Sequence, residues 1–461
     1  MSCSFWSWLS HGFKCPVQPW FIGVFVRDTN GQPVAGAQVS MKGTSLPTNQ
    51  DGWVGFDNVS SQQNFITLVK SGFPTYHVDF FGPTELSGVS QNIGIGSPAD
   101  ITLPAWQSLT VGTESGLIHI EGTDFKTEGG LLWQWRGVTD FLLFWKFLEG
   151  QDTTEIVNER IKLGFNTFRV LGMNGWPQSP NFFPQAHADY YTKLNAFVDF
   201  LASKGMRVEF VVFADSQRVM PDEGERNAHA ARVIDTLKGK WNVFIEWVNE
   251  PFQNIPGGGQ GAYNVGKPFQ YTTPLLMASG DYSDPPLVLD YLTIHTDRGG
   301  EWPRKSKDAV EYQWAFHILT IGDEPMGAAE FDQPGRRSNV VSDFGDAAGV
   351  LALQTNGGTF HSEEGLYSNP FGPIVTACAK AWVTSMKVIG PVAHIGQYTA
   401  GHLGNCPFEL DDAHTLRIFA QLMGSEAWVV VVRPTADWTP VLKNGWRIES
   451  NPAPHIYHVV L

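Results

Sequence analysis

Cysteine, basic clusters and long apolar runs are all scarce in this sequence of 461 residues. The four cysteines form neither a disulfide framework nor a Cys-x-x-Cys pair. Disulfide bridges from Cys3 to Cys15 and from Cys378 to Cys406 remain alternatives, whereas free buried thiols are expected if the protein is intracellular. No apolar run approaches the ~18 residues that span a bilayer, so no transmembrane helix is predicted.

Positive charge is also in the minority, with 31 Lys and Arg against 46 Asp and Glu and a net charge of −15. No basic stripe is present, which argues against a nucleic-acid partner. Met1–Ser10 has neither the basic start nor the apolar core of a secretory signal peptide, so a cytoplasmic, non-classically exported or virion-associated protein is expected. The aromatic, serine-rich residues 1–19 are expected to pack on the protein body or on a neighbouring subunit of a homo-oligomer.

Cofactor motifs are missing as well. The sequence has no His-Glu-x-x-His pair, no phosphate-binding loop and no dinucleotide-binding fingerprint followed by a helix. The acids Asp281, Asp284 and Asp290 lack the spacing of an EF-hand. No metal and no cofactor is therefore expected.

Aromatic side chains, in contrast, are abundant. They make up 13% of the residues and include 17 Trp, in a chain whose 42% hydrophobic and 17% charged content is ordinary for a globular protein. Flat rings suit the apolar faces of sugars, and they equally suit a large core. Composition alone leaves both interpretations open.

Residues 20–104 have the pattern of a small β-sandwich. Short strands such as Phe21–Val26 and Val34–Met41 alternate with turns, and Asn30-Gly31 is a strong hairpin pattern. The segments Asp28–Met41 and Thr48–Val59 resemble the carboxypeptidase-regulatory-like, prealbumin-type sandwich domains. That resemblance implies a spacer or adhesion module without a catalytic role.

From residue 116 the pattern changes to strands that alternate with helices, which predicts an α/β fold with a parallel sheet. Eight strands are predicted, and they favour a (β/α)8 TIM barrel over 116–400, followed by a small β unit over 405–461. The predicted strands are Leu131–Val138, Phe165–Leu171, Met206–Phe213, Val243–Val248, Leu275–Ser279, Tyr291–His295, Ile318–Pro325 and Gly358–Ser362.

The fourth of these strands ends in Asn249-Glu250-Pro251. Proline has no N–H and cannot continue a strand, so a carboxylate stands at the carboxyl end, where such barrels carry their chemistry. Asn-Glu-Pro at this place resembles the acid/base motif of glycoside hydrolase clan A, the cellulase-like (family 5) barrels that hydrolyse β-linked glycans with retention. The resemblance implies that Glu250 is the acid/base and that Asn249 binds the sugar 2-OH.

In that clan the nucleophile ends strand seven. Glu324 and Glu330 are the two candidates, and Glu324 is favoured because Ile, Leu and Thr precede it, whereas Gly and Ala precede Glu330. Both stay open. The mechanism would need the two carboxyl groups on opposite sides of the scissile bond.

Further positions agree with the same family. Arg169 resembles the strand-two arginine that keeps the nucleophile ionised, and a buried arginine needs such a carboxylate partner. The histidines that end strands six and eight line the cleft in the functional interpretation, although a lone histidine is as often structural. The substrate-binding candidates are Arg169, Asn249, His295, His361, Trp176, Trp247 and Glu363.

The sequence also departs from the family 5 pattern. Strand three ends in Phe213–Ser216 without a histidine, strand six lacks a His-x-Tyr pair, and no tryptophan follows strand eight. The expected function is retaining hydrolysis of a β-linked polysaccharide or oligosaccharide. The alternative is a structural or adhesive glycan-binding protein, such as a surface, filament or phage-tail component, that uses the barrel as a scaffold.

Overall fold

The structure is a computed structural model with two compact units, Met1–Gln107 and Ser108–Leu461. In the first unit the structure describes residues 20–28, 33, 35–41, 44–50, 53–59, 63–69, 76–81 and 90–95. From residue 116 onward it describes all but 177–179, 282–288, 297–301, 325–339, 355, 363–370, 390–396, 401–405, 410–417, 424, 435–437 and 444.

The N-terminal unit is built from strands in its described parts. They are β1 (Trp20–Asp28), β2 (Gln38–Met41), β3 (Thr44–Pro47), β4 (Trp53–Val59), β5 (Gln63–Val69), β6 (Tyr76–Phe81) and β7 (Ser90–Ile95). They form two sheets with the orders β4-β1-β7 and β3-β2-β5-β6, in which only the β1–β7 pair is parallel. The predicted β-rich unit is thus present, while the sandwich packing of its sheets and the placement of residues 1–19 stay predictions.

The second unit opens with a hairpin, β8 (Ile118–Glu121) and β9 (Asp124–Thr127), and continues into eight parallel strands. These are β10 (Trp135–Thr139), β11 (Thr167–Leu171), β12 (Arg207–Phe213), β13 (Val243–Val248), β14 (Leu276–Gly280), β15 (Leu292–His295), β16 (Thr320–Glu324) and β17 (Gly357–Phe360).

The strand order is β14-β13-β12-β11-β10-β17-β16-β15, and a parallel bridge between Asp281 and Thr293 brings the two end strands together. This confirms the predicted (β/α)8 barrel. Each observed strand overlaps the predicted one, since each is a largely buried run, and in the described residues a helix follows every barrel strand except β14.

Helices cover the outside of the barrel. They are α1 (Leu143–Leu148), α2 (Thr154–Leu163), α3 (Tyr190–Ser203), α4 (Ser216–Val219), α5 (Glu223–Leu237), α6 (Pro251–Asn254), α7 (Gly258–Gly266), α8 (Trp302–Lys305), α9 (Lys307–Phe316), α10 (Val341–Gln354) and α11 (Pro373–Ile389). Helix α2 ends at Gly164 in the left-handed conformation (φ 103°), as its sequence predicts. No helix in the described part of the chain is both long and apolar enough to cross a bilayer.

Aromatic rings fill the amino end of the barrel. Phe125, from the hairpin, packs on Trp135 and Phe244 with ring centroids 5.8 and 5.7 Å apart, and Tyr291 joins them. Trp135 and Phe244 are the first and second residues of their strands, which places this layer at the amino end. These rings fill the amino end of the barrel, whereas barrels of this kind carry their chemistry at the opposite end.

A five-stranded sheet follows the barrel. Its strands are β18 (Gln397–Ala400), β19 (Ile418–Met423), β20 (Glu426–Val431), β21 (Arg447–Ala453) and β22 (Ile456–Val460), in the order β18-β19-β20-β22-β21. Because β18 pairs with β19, this sheet begins before residue 400, inside the range predicted for the barrel. The predicted boundary at 400–405 is thus too late, since four residues hold too little pattern to mark a strand.

The C-terminal sheet packs on the barrel helices, and Val430 and Ile456 share one hydrophobic core with them. Cys378 and Cys406 are both buried and free, and burial raises the pKa of the Cys406 thiol to about 11. This excludes a bridge between them. Cys3 and Cys15 lie outside the described residues.

Candidate active site

The polar side chains of the barrel collect at the carboxyl ends of its strands. Glu324 and His295 are the last residues of β16 and β15, Asn249 and Glu250 follow β13, and His361 follows β17. Parallel strands place these ends at one edge, so residues far apart in sequence become neighbours. The structure thus brings together five of the predicted site residues around one more, Arg169 on β11.

Arg169 is fully buried at the centre of this group. Its Nε and Nη2 donate to the two oxygens of Glu246 at 2.6 and 2.8 Å, a bidentate pair. Nη1 donates to Oε1 of Glu324 at 2.7 Å, and Nη2 also donates to Oδ1 of Asn249 at 2.9 Å. Asp323 completes the set, with Oδ2 at 2.7 Å from Nε. A single guanidinium therefore holds groups from β13 and β16.

Glu324 is a buried carboxylate that contacts Arg169 and also lies close to His295 and His361. Its side chain is 2% exposed, and beside the Arg169 contact its Oε2 lies 3.6 Å from Nδ1 of His295. Nδ1 of His361 lies 3.9 Å from Oε1. An adjacent fixed cation favours the ionised form of a carboxyl group, as a nucleophile requires.

Glu250 is more open, with a side chain 26% exposed. Its backbone takes the left-handed conformation (φ 41°), which is strained for a residue with a Cβ. Asn254 stabilises this turn, because its side-chain N–H donates to the carbonyl of Asn249 at 2.6 Å and to that of Glu250 at 3.3 Å. Gln253 donates to Oε2 of Glu250 at 3.2 Å. The turn thus aims a partly solvated carboxyl group at the cleft.

Glu250 and Glu324 face each other across His295. One oxygen of each carboxyl group and one ring nitrogen of His295 all lie within 4.8 Å of one another. Retaining glycosidases place their two carboxyl groups ~5–5.5 Å apart, whereas inverting enzymes need a wider gap for a water. The distance between the Glu250 and Glu324 oxygens is therefore closer to the spacing of retaining enzymes than to that of inverting enzymes.

His295 lies between four acids. Its backbone N–H donates to Oδ1 of Asp281 at 3.0 Å, and Nε2 lies 3.5 Å from Oδ2 of Asp323. Burial opposes protonation of the ring, but the negative charges of Glu324 and Asp281 outweigh it and raise the pKa of His295 well above the usual value. The surrounding acids therefore favour the protonated form of this ring, which lies between Glu250 and Glu324.

An aromatic wall lines the β10 side of the site. The Phe141 ring is 5.5 Å from the ring of His361, 6.0 Å from that of Trp176, and 5.9 Å from the Arg169 guanidinium carbon. Trp176 is partly buried, and its ring contacts that of Phe141. Phe141 was missed from the sequence, since a phenylalanine after a buried strand has the pattern of an ordinary core residue.

Trp247 is not part of this site, contrary to the expectation from its sequence position. It is fully buried and stacks on Phe269 at 5.5 Å, on the outer face of β13 against α7. Successive strand residues point to opposite faces, so Glu246 turns inward and Trp247 outward. Glu330 and Glu363 lie outside the described residues, and their roles stay predictions.

Three acids that face Arg169 were also missed, namely Glu209 on β12, Glu246 on β13 and Asp323 on β16. All three are fully buried. The available clue was a charged residue within an otherwise apolar strand, because a buried charge needs a partner. Burial raises the pKa of Glu246 to about 7, although Arg169 opposes this shift.

A cation would suit the oxygen and nitrogen spacing of two groups, Glu246/His295/Asp323 and Glu250/His295/Glu324. In both groups, however, the Arg169 guanidinium already contacts one or more carboxylates at 2.6–2.7 Å. Arg169 therefore already supplies positive charge to both groups.

Fold and site together define a (β/α)8-barrel protein with a facing carboxyl pair at the carboxyl ends of β13 and β16. No family model and no curated protein matches the sequence. Among solved structures, a Bacteroides vulgatus protein named as a candidate glycoside hydrolase is similar with a TM-score of 0.50 and 12% identity, over 96% of this chain and 98% of that one.

A family 5 glycoside hydrolase from the same organism has a TM-score of 0.47 and 13% identity, over 69% of this chain and 80% of its own. The catalytic domain of a Thermobifida fusca endoglucanase has a TM-score of 0.42 and 13% identity, over 60% and 95%. At 12% identity the likeness to the first of these structures, with a TM-score of 0.50, concerns the fold alone, and at that level it agrees with the predicted resemblance to clan A barrels.

Proposed function

We propose that the protein is a retaining glycoside hydrolase that acts on a β-linked glycan. The observation that carries this proposal is the short separation of the Glu250 and Glu324 oxygens, within 4.8 Å. The different environments of the two groups support it. Glu324 is buried against Arg169, whereas Glu250 is partly exposed at the cleft.

Each group has a defined task in this mechanism. Glu250 protonates the glycosidic oxygen while Glu324 attacks the anomeric carbon, so the bond to the leaving sugar breaks as a glycosyl-enzyme ester forms. Glu250, now ionised, takes a proton from water, and the hydroxide displaces Glu324 to release the sugar with its original configuration. Asn249 binds the sugar 2-OH, and His295 stabilises charge between the two carboxyl groups.

The test is a panel of β-glycans and aryl β-glycosides with the wild type, Glu250→Gln and Glu324→Gln. Glu324→Gln is expected to lose nearly all activity on every substrate. Glu250→Gln is expected to keep more activity on aryl glycosides with good leaving groups, since these need no proton, and azide should restore part of its turnover. Glu223→Gln, on the exposed start of α5, is the matched control.

The nucleophile is identified by a 2-deoxy-2-fluoro glycoside, which forms a slowly hydrolysed ester, followed by peptide mass spectrometry. A label on Glu324 supports the proposal, and a label on Glu330 transfers the nucleophile role to that residue. Proton NMR of the first product separates retention from inversion.

The second candidate is a glycan-binding structural or adhesive protein, and the two small sheets of the N-terminal unit favour it. Equal glycan binding by the wild type and Glu250→Gln, with no turnover by either, would establish this alternative over hydrolysis. Light scattering of the full chain tests for self-assembly.

A further inference from the structure

Negative charge is in excess around Arg169. The four fully or almost fully buried carboxyl groups there are Glu209, Glu246, Asp323 and Glu324. Among the described residues, the basic groups within ion-pair distance of them are Arg169, His295 and His361. Arg169 is the permanent cation of the three, so four ionised carboxylates would outnumber the cations of the described residues and leave excess negative charge among buried side chains. Such charge is costly, and a buried acid avoids the cost by keeping its proton.

Glu209 differs from the other three acids in its distance from Arg169. Its Oε2 is 3.9 Å from Nε, whereas Glu246, Asp323 and Glu324 each have an oxygen at 2.6–2.7 Å. The Tyr291 hydroxyl donates to Oε1 of Glu209 at 2.8 Å. Oε2 has no hydrogen-bond partner within the part of the chain that the structure describes.

We propose that Glu209 is a positioning residue that stays protonated in the folded protein, so that the positive charge of Arg169 remains available to Glu324. In the protonated acid Oε2 carries the proton, and Oε1 accepts from Tyr291 as a neutral carbonyl oxygen. An ionised Glu209 would instead compete for Arg169 with the acids on β13 and β16.

The groups that face Glu209 agree with this assignment. Burial raises its pKa well above the ordinary value, the charges of Asp323 and Glu246 add to the rise, and Arg169 and the Tyr291 hydrogen bond oppose it. The opposing groups are one shared guanidinium at 3.9 Å and one neutral hydroxyl. Neither compensates a full negative charge as a direct bidentate contact would.

Infrared difference spectroscopy of the full chain tests the protonation state without any substrate. It compares the wild type with Glu209→Gln one pH unit above the Glu246 pKa of about 7. The carbonyl band of a protonated carboxyl group is expected in the wild type, absent in Glu209→Gln and still present in the control Glu246→Gln. A Glu209→Gln spectrum that retains this band would overturn the proposal.

Tyr291→Phe provides a second variant that leaves Glu209 in place. Loss of the hydroxyl donor frees the carbonyl oxygen of Glu209, so the same band is expected at higher frequency. A band that does not move contradicts the assignment, whether or not Glu209→Gln folds.

Kinetics test the positioning role, and this part rests on the proposed hydrolase. Glutamine copies a protonated glutamate, so Glu209→Gln is expected to lower kcat/KM less than about tenfold. Glu246→Gln breaks the bidentate contact of Arg169 and is expected to lower it ~100-fold, the size of effect that follows a misplaced site group. Equal losses in the two variants would refute the role. Absence of wild-type turnover would refute only the hydrolase, since the infrared result stands alone.

Discussion

At the scale of single residues, the site depends on the planar guanidinium of Arg169. Its nitrogens contact Glu246, Asp323, Glu324 and Asn249, and a lysine ammonium is a point charge that cannot span them. The partners come from two strands, so this one side chain couples the acid/base turn after β13 to the nucleophile candidate on β16.

Replacing Arg169 with lysine or methionine tests this dependence. Arg169→Met should lower the free energy of unfolding by about 3–5 kcal/mol, because it leaves buried carboxylates without their cation. Arg169→Lys keeps one charge and should lose less stability while still lowering kcat/KM. Denaturant unfolding and steady-state kinetics measure the two effects.

The matched control is Arg447→Lys, since Arg447 forms an exposed pair with Glu449 at 2.5 Å. The free energy of unfolding of Arg447→Lys should stay within about 1 kcal/mol of the wild-type value. An Arg169→Met protein as stable as this control would show that the buried acids are already neutral without the guanidinium.

At the scale of elements, the short helix α6 (Pro251–Asn254) determines where Glu250 points. Asn254 bonds three backbone groups, since its Oδ1 accepts from the Asp215 N–H at 2.7 Å and its Nδ2 donates to the carbonyls of Asn249 and Glu250. These bonds stabilise the positive φ of Glu250. Strain at a functional residue persists only where its surroundings enforce it.

Asn254→Ala should therefore relax the turn and displace Glu250. We expect a loss of about 2 kcal/mol in unfolding free energy, because buried backbone groups lose their partners, and a lower kcat with a smaller change in KM. Asn264→Ala, on the exposed face of α7, should change neither. Wild-type kcat in Asn254→Ala would mean that α6 holds its shape without this side chain.

The strands of the barrel were largely predictable, whereas two strands of the C-terminal sheet were missed for physical reasons. Each barrel strand is a buried apolar run, which sequence periodicity detects. Strand β21 (Arg447–Ala453) was missed, because six of its seven residues are exposed and carry no apolar alternation. Strand β18 was missed for its length of four residues.

At the scale of the whole barrel unit, the C-terminal sheet is held to the barrel by polar contacts as well as by its core. Nδ1 of His455 lies 2.8 Å from Oδ1 of Asp346 on α10. The Arg433 N–H donates to Oδ2 of the same aspartate at 2.9 Å, and its Nε donates to Asp343 at 2.8 Å. The hydrogen bond to Asp346 raises the pKa of His455 above its ordinary value.

This raised pKa predicts a pH-dependent contribution to stability. The folded protein binds the His455 proton more tightly than the unfolded chain, so the contribution is complete below pH ~6.5 and is lost as pH rises through the folded pKa. His455→Asn removes the cation while tolerating the left-handed backbone at φ 60°.

Denaturant unfolding of both proteins across this pH range measures the effect. The wild type should exceed His455→Asn by about 1–2 kcal/mol on the acidic side, and the gap should close on the alkaline side. A gap that is constant with pH would show that the imidazole contributes packing and not charge.

The sequence by itself determined the barrel and the positions at its strand ends. Apolar runs between helices predict eight parallel strands, and the residue that follows a strand must lie at the carboxyl edge. Glu250, Glu324, His295 and His361 were placed at this edge by local pattern and strand count, whereas Arg169, within β11, was found by its resemblance to the strand-two arginine of clan A.

Only the tertiary structure decided which side chains meet. A strand that is apolar on both faces does not show which face turns inward, so Glu246 and Trp247 could not be assigned before the barrel was seen. Pairing Arg169 with acids 77 and 155 residues away depends on barrel closure and stagger, which no local pattern encodes. The charge cluster that includes Glu209 is a product of that closure.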